Sequence, residues 1–191
     1  MKLVNLTVAP GLVVTFHRHI TVVTGMDRHH RLRLVAALMG LAQGAAPVGP
    51  GLLEAHGVLF DLSEEMLALI DLGVGEIRPV VSASDVASRD PRPSPTAEKG
   101  HEEATVAEEI EWHLLRRLGA QRSTSLAGSM PLLLDDVFPD LDAPSLHHVL
   151  DRVKTMAEDV QVIIVTDNPD VAEWVLLVGA EQAAIARTVE G

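Results

Sequence analysis

The sequence predicts an α/β fold: a mostly parallel sheet with helices on its faces and an antiparallel group of strands at its N-terminal end. Three features lead there. Leu132, Leu133 and Leu134 form a short apolar run that ends abruptly in Asp135 and Asp136, as a strand buried on both faces would. Beyond it, helical spacing at Leu146, Val149, Leu150 and Val153 gives way to a second apolar run, Val160 to Thr166, so helix and strand alternate. Near the start, Leu3, Val4, Leu6 and Val8 are interleaved with Asn5 and Thr7, the pattern of a half-buried strand.

The elements follow in order. Lys2 to Val8 is the first strand, Pro10 and Gly11 a turn, and Leu12 to Phe16 the second strand. After the short connection Phe16 to His19, Ile20 to Thr24 is a more buried third strand. Gly25 opens a polar loop, and Leu34, Val35, Leu38 and Leu41 then recur at helical spacing. Leu52 to Asp61 reads as a strand or hairpin arm bent at Gly57, followed by a short helix from Ser63 to Ile70 and a strand from Ile77 to Val81. Arg89 to Pro95 carries prolines at alternate positions and reads as an exposed linker. Thr105 to Glu108 has capping-box spacing and opens a helix closed by Gly119. The last helix starts after Asn168 and runs through Trp174, and Ala183 to Val189 is a last strand.

Two stretches carry candidate chemistry. Asp135 and Asp136 stand at the carboxyl end of a predicted parallel strand, the edge of an α/β sheet where ligands bind. One carboxylate there can hold Mg²⁺ and a second can orient a water; an Asx turn closing the strand is the alternative. The second stretch is strand, Gly25, polar loop, helix: the layout of a phosphate loop. That motif requires G-x-x-x-x-G-K-[ST]. Counted from Gly25, the second glycine falls at His30, the lysine at Arg31 and the hydroxyl at Leu32. Arg31 can pair with phosphate through its guanidinium fork, but Leu32 cannot ligate a metal. An ordinary strand-to-helix connection with a basic face stands beside the reading of a degenerate nucleotide site. The paired histidines, His17 with His19, His29 with His30 and His147 with His148, lack a metal-binding spacing and read as surface residues.

The stretch from Leu132 to Asp142 resembles the Walker B motif and D-loop of RecF-type and SMC-type ABC ATPase heads. The likeness extends over Pro131 to Trp174. It is closest to RecF, which also has Asp-Asp where most ABC ATPases have Asp-Glu. The resemblance implies a P-loop NTPase-like fold, an ABC ATPase head, in one domain over residues 1–191. Its N-terminal lobe spans 1–83, its flexible linker 84–104 and its C-terminal lobe 105–191. The linker stands where a long coiled coil interrupts related heads. ATP and Mg²⁺ are the implied cofactors. Asp135 is the implied metal ligand and Asp136 the implied catalytic residue. Gly25, Arg28, His30 and Arg31 face the nucleotide, Arg28 replacing a glycine usual in the family. The signature motif is missing: Lys99 to Thr105 does not match it. The implied partners are a second copy, met through the D-loop analogue Pro139 to Asp142, or a protein that supplies a signature motif. The implied function is a degenerate ATPase head with weak nucleotide binding, linked to DNA repair or chromosome maintenance. The alternative is a non-catalytic, ATPase-like module used for protein–protein association.

Composition narrows the classes. Hydrophobic residues make up 47% of the 191 residues, enough for a real core. Aromatics are 3%, with no tyrosine, so stacking platforms for single-stranded nucleic acid are scarce. Without cysteine there is no disulfide framework or thiolate metal site. A net charge of −12 argues against non-specific DNA binding, although Arg18, Arg28, Arg31 and Arg33 cluster early with several histidines. No secretion signal or apolar run of membrane-spanning length is visible, so a cytoplasmic protein is expected.

Overall fold

The computed structural model describes residues 1–42, 44–63, 80–82, 112, 115, 131–138 and 141–190. Their elements are β1 (Lys2–Ala9), β2 (Leu12–Thr15), β3 (Ile20–Val23), α1 (Arg28–Ala42), β4 (Gly51–Ala55), β5 (Val58–Asp61) and β6 (Val80–Ser82). β7 (Leu132–Asp135), α2 (Ala143–Met156), β8 (Val162–Val165), α3 (Pro169–Val178), β9 (Ala183–Ile185) and β10 (Arg187–Glu190) follow. The predicted linker 84–104, the helix predicted after Ser63 and most of the helix predicted after Thr105 lie outside the described residues. No helix among the described residues is long and apolar enough to cross a membrane.

The strands form two sheets. One is parallel throughout, in the order β6-β7-β8-β3-β9. The other is antiparallel, in the order β10-β2-β1-β4-β5. Both contain strands from early and late in the chain: β3 lies between β8 and β9, and β10 closes onto β2. The antiparallel group is therefore wider than the N-terminal strands that predicted it. The apolar run from Ala183 to Val189, expected as one strand, divides at Ala186 between the two sheets. Leu52 to Asp61 is a tight hairpin, with His56 and Gly57 at positive φ as a two-residue turn of this hand requires.

Period-two alternation explains the layering. Leu132, Leu134, Val162, Ile164, Ile20 and Val22 point to one side of the parallel sheet and pack beneath α2 and α3. Leu133, Ile163, Val23 and Val165 point to the other side, against α1 and the antiparallel sheet. α1 meets them with Leu34, Ala37, Leu38 and Leu41, the i, i+3, i+4, i+7 stripe of an amphipathic helix. Each fully buried leucine or isoleucine contributes about 1.5–3 kcal/mol, so the central strands hold the fold together.

A polar group ties the layers. Gln161, 1% exposed, precedes β8 in the parallel sheet. Its Oε1 accepts the Leu3 N–H at 2.7 Å, and its Nε2 donates to the Leu3 carbonyl at 2.7 Å and the His17 carbonyl at 2.9 Å. β2 pairs with β1 only from Asn5 onward, so this edge of Leu3 has no strand beside it. The glutamine amide stands in for the missing strand.

Local signals set the helix starts. Asp142 caps α2 by accepting the Ser145 N–H at 2.9 Å, and Asn168 caps α3 by accepting the Asp170 N–H at 2.9 Å. Proline follows in the first turn of each. The Ser145 contacts hold the Asp142 carboxyl below its usual value of 3.8. A carboxyl depressed on folding stabilises fully above its unfolded value and loses that contribution as pH falls through its folded value. Asp142→Asn keeps a capping oxygen without the titration. Its unfolding free energy should match wild type at pH 7 and fall less steeply below pH 3.8. Urea unfolding across that range measures the difference, and parallel acid limbs would refute the assignment.

Candidate functional site

Strand register builds the site. Val23, Val165 and Asp135 pair in a row across β3, β8 and β7 at the carboxyl edge of the parallel sheet. From these three strands the chain leaves that edge as Thr24–Gly25, Thr166–Asp167 and Asp136. The exits are tied together. The Thr166 N–H donates to the Val23 carbonyl at 3.0 Å and the Asp136 N–H to the Val165 carbonyl at 2.9 Å. Asp136 turns away at φ 52°, a left-handed conformation that Asp tolerates.

Arg31 reaches across from α1 into these exits. Its Nη2 donates to Asp135 Oδ1 at 2.9 Å and lies 3.8 Å from Asp136 Oδ1. Its Nη1 donates to Asp167 Oδ2 at 3.4 Å. Partial burial pulls the Arg31 pKa down, but the hydrogen bond and charge of Asp135, with the charges of Asp136 and Asp167, outweigh it and carry the value above normal. One cation therefore serves three carboxylates. Asp167 also accepts the Gly25 N–H, at 3.3 Å. Gly25 sits at φ +68°, where a side chain would be strained.

The loop before α1 departs from a phosphate cradle. In a phosphate loop the G-x-x-x-x-G-K-[ST] run separates strand from helix. Here the helix starts at Arg28, leaving only Thr24 to Asp27 outside regular structure. Arg28 and His30 are not glycines and take helical conformation. The Arg31 N–H accordingly bonds back to the Asp27 carbonyl at 2.9 Å, one helical turn earlier. Asp27 caps the helix: its Oδ1 accepts the N–H groups of His29 and His30 at 2.9 and 3.1 Å. Its other oxygen pairs with the His30 ring. The His30 N–H, then that of His29, with the His30 ring, hold the Asp27 carboxyl below its usual range.

Of the residues predicted from sequence, the fold brings Gly25, Arg31, Asp135 and Asp136 together. Arg28 and His30 lie on the first turn of α1. Arg28 is exposed, and His30 is engaged with Asp27. Leu32, at the hydroxyl position, is 59% exposed and offers no metal ligand. Asp27 and Asp167 are not among the predicted site residues; in the resembled family a histidine that senses γ-phosphate stands near the position of Asp167. Asp27 directly before a helix start is a capping signal visible in the sequence; nothing local signals the reach of Asp167 to Gly25.

Architecture identifies the fold. The structure is similar to the SMC head domain from Thermotoga maritima, with a TM-score of 0.63 and 12% identity over 100% of this chain and 99% of that one. The chain has the fold of an SMC head domain. No protein-family model and no curated protein matches the sequence. Within the head fold, the resemblance assigns phosphate to the β3–α1 connection and metal to the end of β7. The residues present do not fit an ATP–Mg²⁺ complex. The loop has no second glycine, the hydroxyl ligand is a leucine, and the N–H groups of Gly25, His29 and His30 and the Arg31 guanidinium already serve carboxylates. Among the described residues no group of three or more His, Asp or Glu is placed to hold a metal ion.

Proposed function

We propose that this chain is an SMC-type head in which internal carboxylates have taken the place of nucleotide phosphate, leaving the fold in use for protein association. Nucleotide binding is weak and hydrolysis slight or absent. The observation that carries this is the pairing of the phosphate donors. Asp27 takes the first N–H groups of α1, Asp167 takes the Gly25 N–H, and three carboxylates surround Arg31. A triphosphate would have to displace like-charged groups from these donors. Each charge-assisted contact is worth about 1.5–3 kcal/mol, so losing two or more weakens binding by roughly two to four decades. The link to DNA repair or chromosome maintenance rests on the resemblance of the Leu132 to Asp142 stretch, and the net charge of −12 favours a protein over DNA as the direct partner.

One observation favours a second reading, a slow ATPase. Asp135 and Asp136 stand at the carboxyl edge of the sheet beside Arg31, where the resemblance gives Asp135 the metal and Asp136 the attacking water. Calorimetric titration with ATP–Mg²⁺, paired with phosphate release from wild type and Asp136→Asn, separates the two. The expected result is weak binding, negligible release and an intact fold in the variant. Tight binding with brisk release that Asp136→Asn abolishes would favour the ATPase.

A further inference from the structure

The connection Phe16 to His19, between β2 and β3, carries the chain from one sheet to the other and is fastened to several elements. The His17 N–H donates to Thr21 Oγ1 at 2.8 Å, and the His17 carbonyl accepts from Gln161 Nε2 at 2.9 Å. His19 Nδ1 lies 2.9 Å from the carbonyl of Ala157, the residue that ends α2. Within the connection, the His19 N–H donates to His17 Nδ1 across 3.2 Å. A ring nitrogen that accepts a hydrogen bond carries no proton. The contact therefore requires neutral His17 with its proton on Nε2. Both histidines are half-buried and structural, not the surface residues their sequence suggested.

We infer that this connection is a proton-sensitive clasp between the two sheets, closed while His17 Nδ1 is bare and opened when that nitrogen takes up a proton. Protonation turns the acceptor into a donor facing another donor, the His19 N–H. It also places a cation against the second imidazole, whose ring centre is 5.7 Å away. The surroundings oppose that charge on balance. Burial comes first and the His19 ring second. The Ala180 backbone favours a proton, Arg18 disfavours it, and Glu181, after α3, favours it. Lys2 of β1 adds a further cation beside Arg18. From α2 the contact on this segment is the Ala157 carbonyl, which meets His19.

The sign follows from linkage. His17 is held below its ordinary value of 6.5 on folding, so the unfolded chain takes the proton first. The contribution of the clasp is complete above pH 6.5 and is lost as pH falls below it, levelling off beneath the folded value. His17 is at the opposite end of β3 from Gly25, so the clasp does not depend on nucleotide.

The test compares wild type with His17→Asn, whose side-chain oxygen can accept the His19 N–H without titrating. Urea unfolding is measured between pH 8 and pH 5. The wild-type folding constant should fall below pH 6.5, by at most about tenfold per pH unit for one proton, and the variant should fall less steeply. Exchange of the His19 amide should accelerate over the same range in wild type alone. Parallel pH profiles for the two proteins would overturn the clasp. Should His17→Asn not fold, the wild type decides by itself. The Nδ1 nitrogen shift of His17 must report protonation below pH 6.5 together with loss of His19 amide protection. A protonated His17 with the amide still protected would sink the idea.

Discussion

Gln161→Leu is expected to lower the unfolding free energy by on the order of 3–6 kcal/mol. The substitution fills similar space with an apolar side chain, so its cost is not a cavity. It strands the Leu3 N–H, the Leu3 carbonyl and the His17 carbonyl, which Gln161 satisfies across 2.7, 2.7 and 2.9 Å. A buried backbone group left without a partner costs about 1–3 kcal/mol. Against a total stability of about 5–15 kcal/mol, such a loss leaves the chain marginal. Gln161→Glu keeps the acceptor for Leu3 but loses both donations and buries a charge, so it should be no milder. Urea unfolding of the three proteins gives the numbers. A loss under about 1 kcal/mol for Gln161→Leu would mean that water or a local shift serves the stranded groups.

Rebuilding the phosphate loop should raise ATP–Mg²⁺ affinity by roughly two decades. The combined variant is Asp27→Ala, Arg28→Gly, His30→Gly, Arg31→Lys and Leu32→Thr. It removes the carboxylate at the start of α1, frees the backbone between Gly25 and Arg31 from helical conformation, and supplies the missing hydroxyl. Asp135, Asp136 and Asp167 remain, so complete recovery is not expected. The first turn of α1 should fray, and the melting temperature should drop. Calorimetry with ATP–Mg²⁺ on wild type and variant, with the melting temperature taken alongside, is the measurement. If the folded variant binds no better than wild type, the internal carboxylates are not what excludes nucleotide.

The sequence was most readable where structure is local. The run Leu132 to Leu134 and the spacing of Leu146, Val149, Leu150 and Val153 placed a strand and a helix correctly, because burial on both faces and burial of one stripe leave distinct periods. Asn168 before Pro169 and Asp142 before Pro144 marked two helix starts by capping chemistry. The start of α1 was less legible: its apolar stripe begins at Leu34, whereas the helix begins at Arg28, a polar turn held by Asp27. Within the site, strand order brings Gly25, Arg31, Asp135 and Asp136 to one edge of the parallel sheet. The competition for their donors was invisible, since Asp167 meets Gly25 across 142 positions. Gln161 was hidden for the same reason, its partner Leu3 lying 158 positions away. Ala186 carries no breaker, so nothing local announces the crossing from one sheet to the other.

The central place of β3 bears on how the molecule assembles. Both of its neighbours, β8 and β9, come from the final thirty or so residues of the described chain. Until those residues leave the ribosome, Ile20 to Val23 has no strand on either side. The early segment can close its own hairpins, β1 with β2 and β4 with β5, from short-range contacts. The parallel sheet has to await loop closures spanning most of the polypeptide, which are slow to form. Its apolar strands are exposed meanwhile, and open strand edges of this kind invite aggregation. Synthesis thus delivers the basic half of the candidate site first, and the arginine on α1 waits 104 positions for Asp135 and 136 for Asp167.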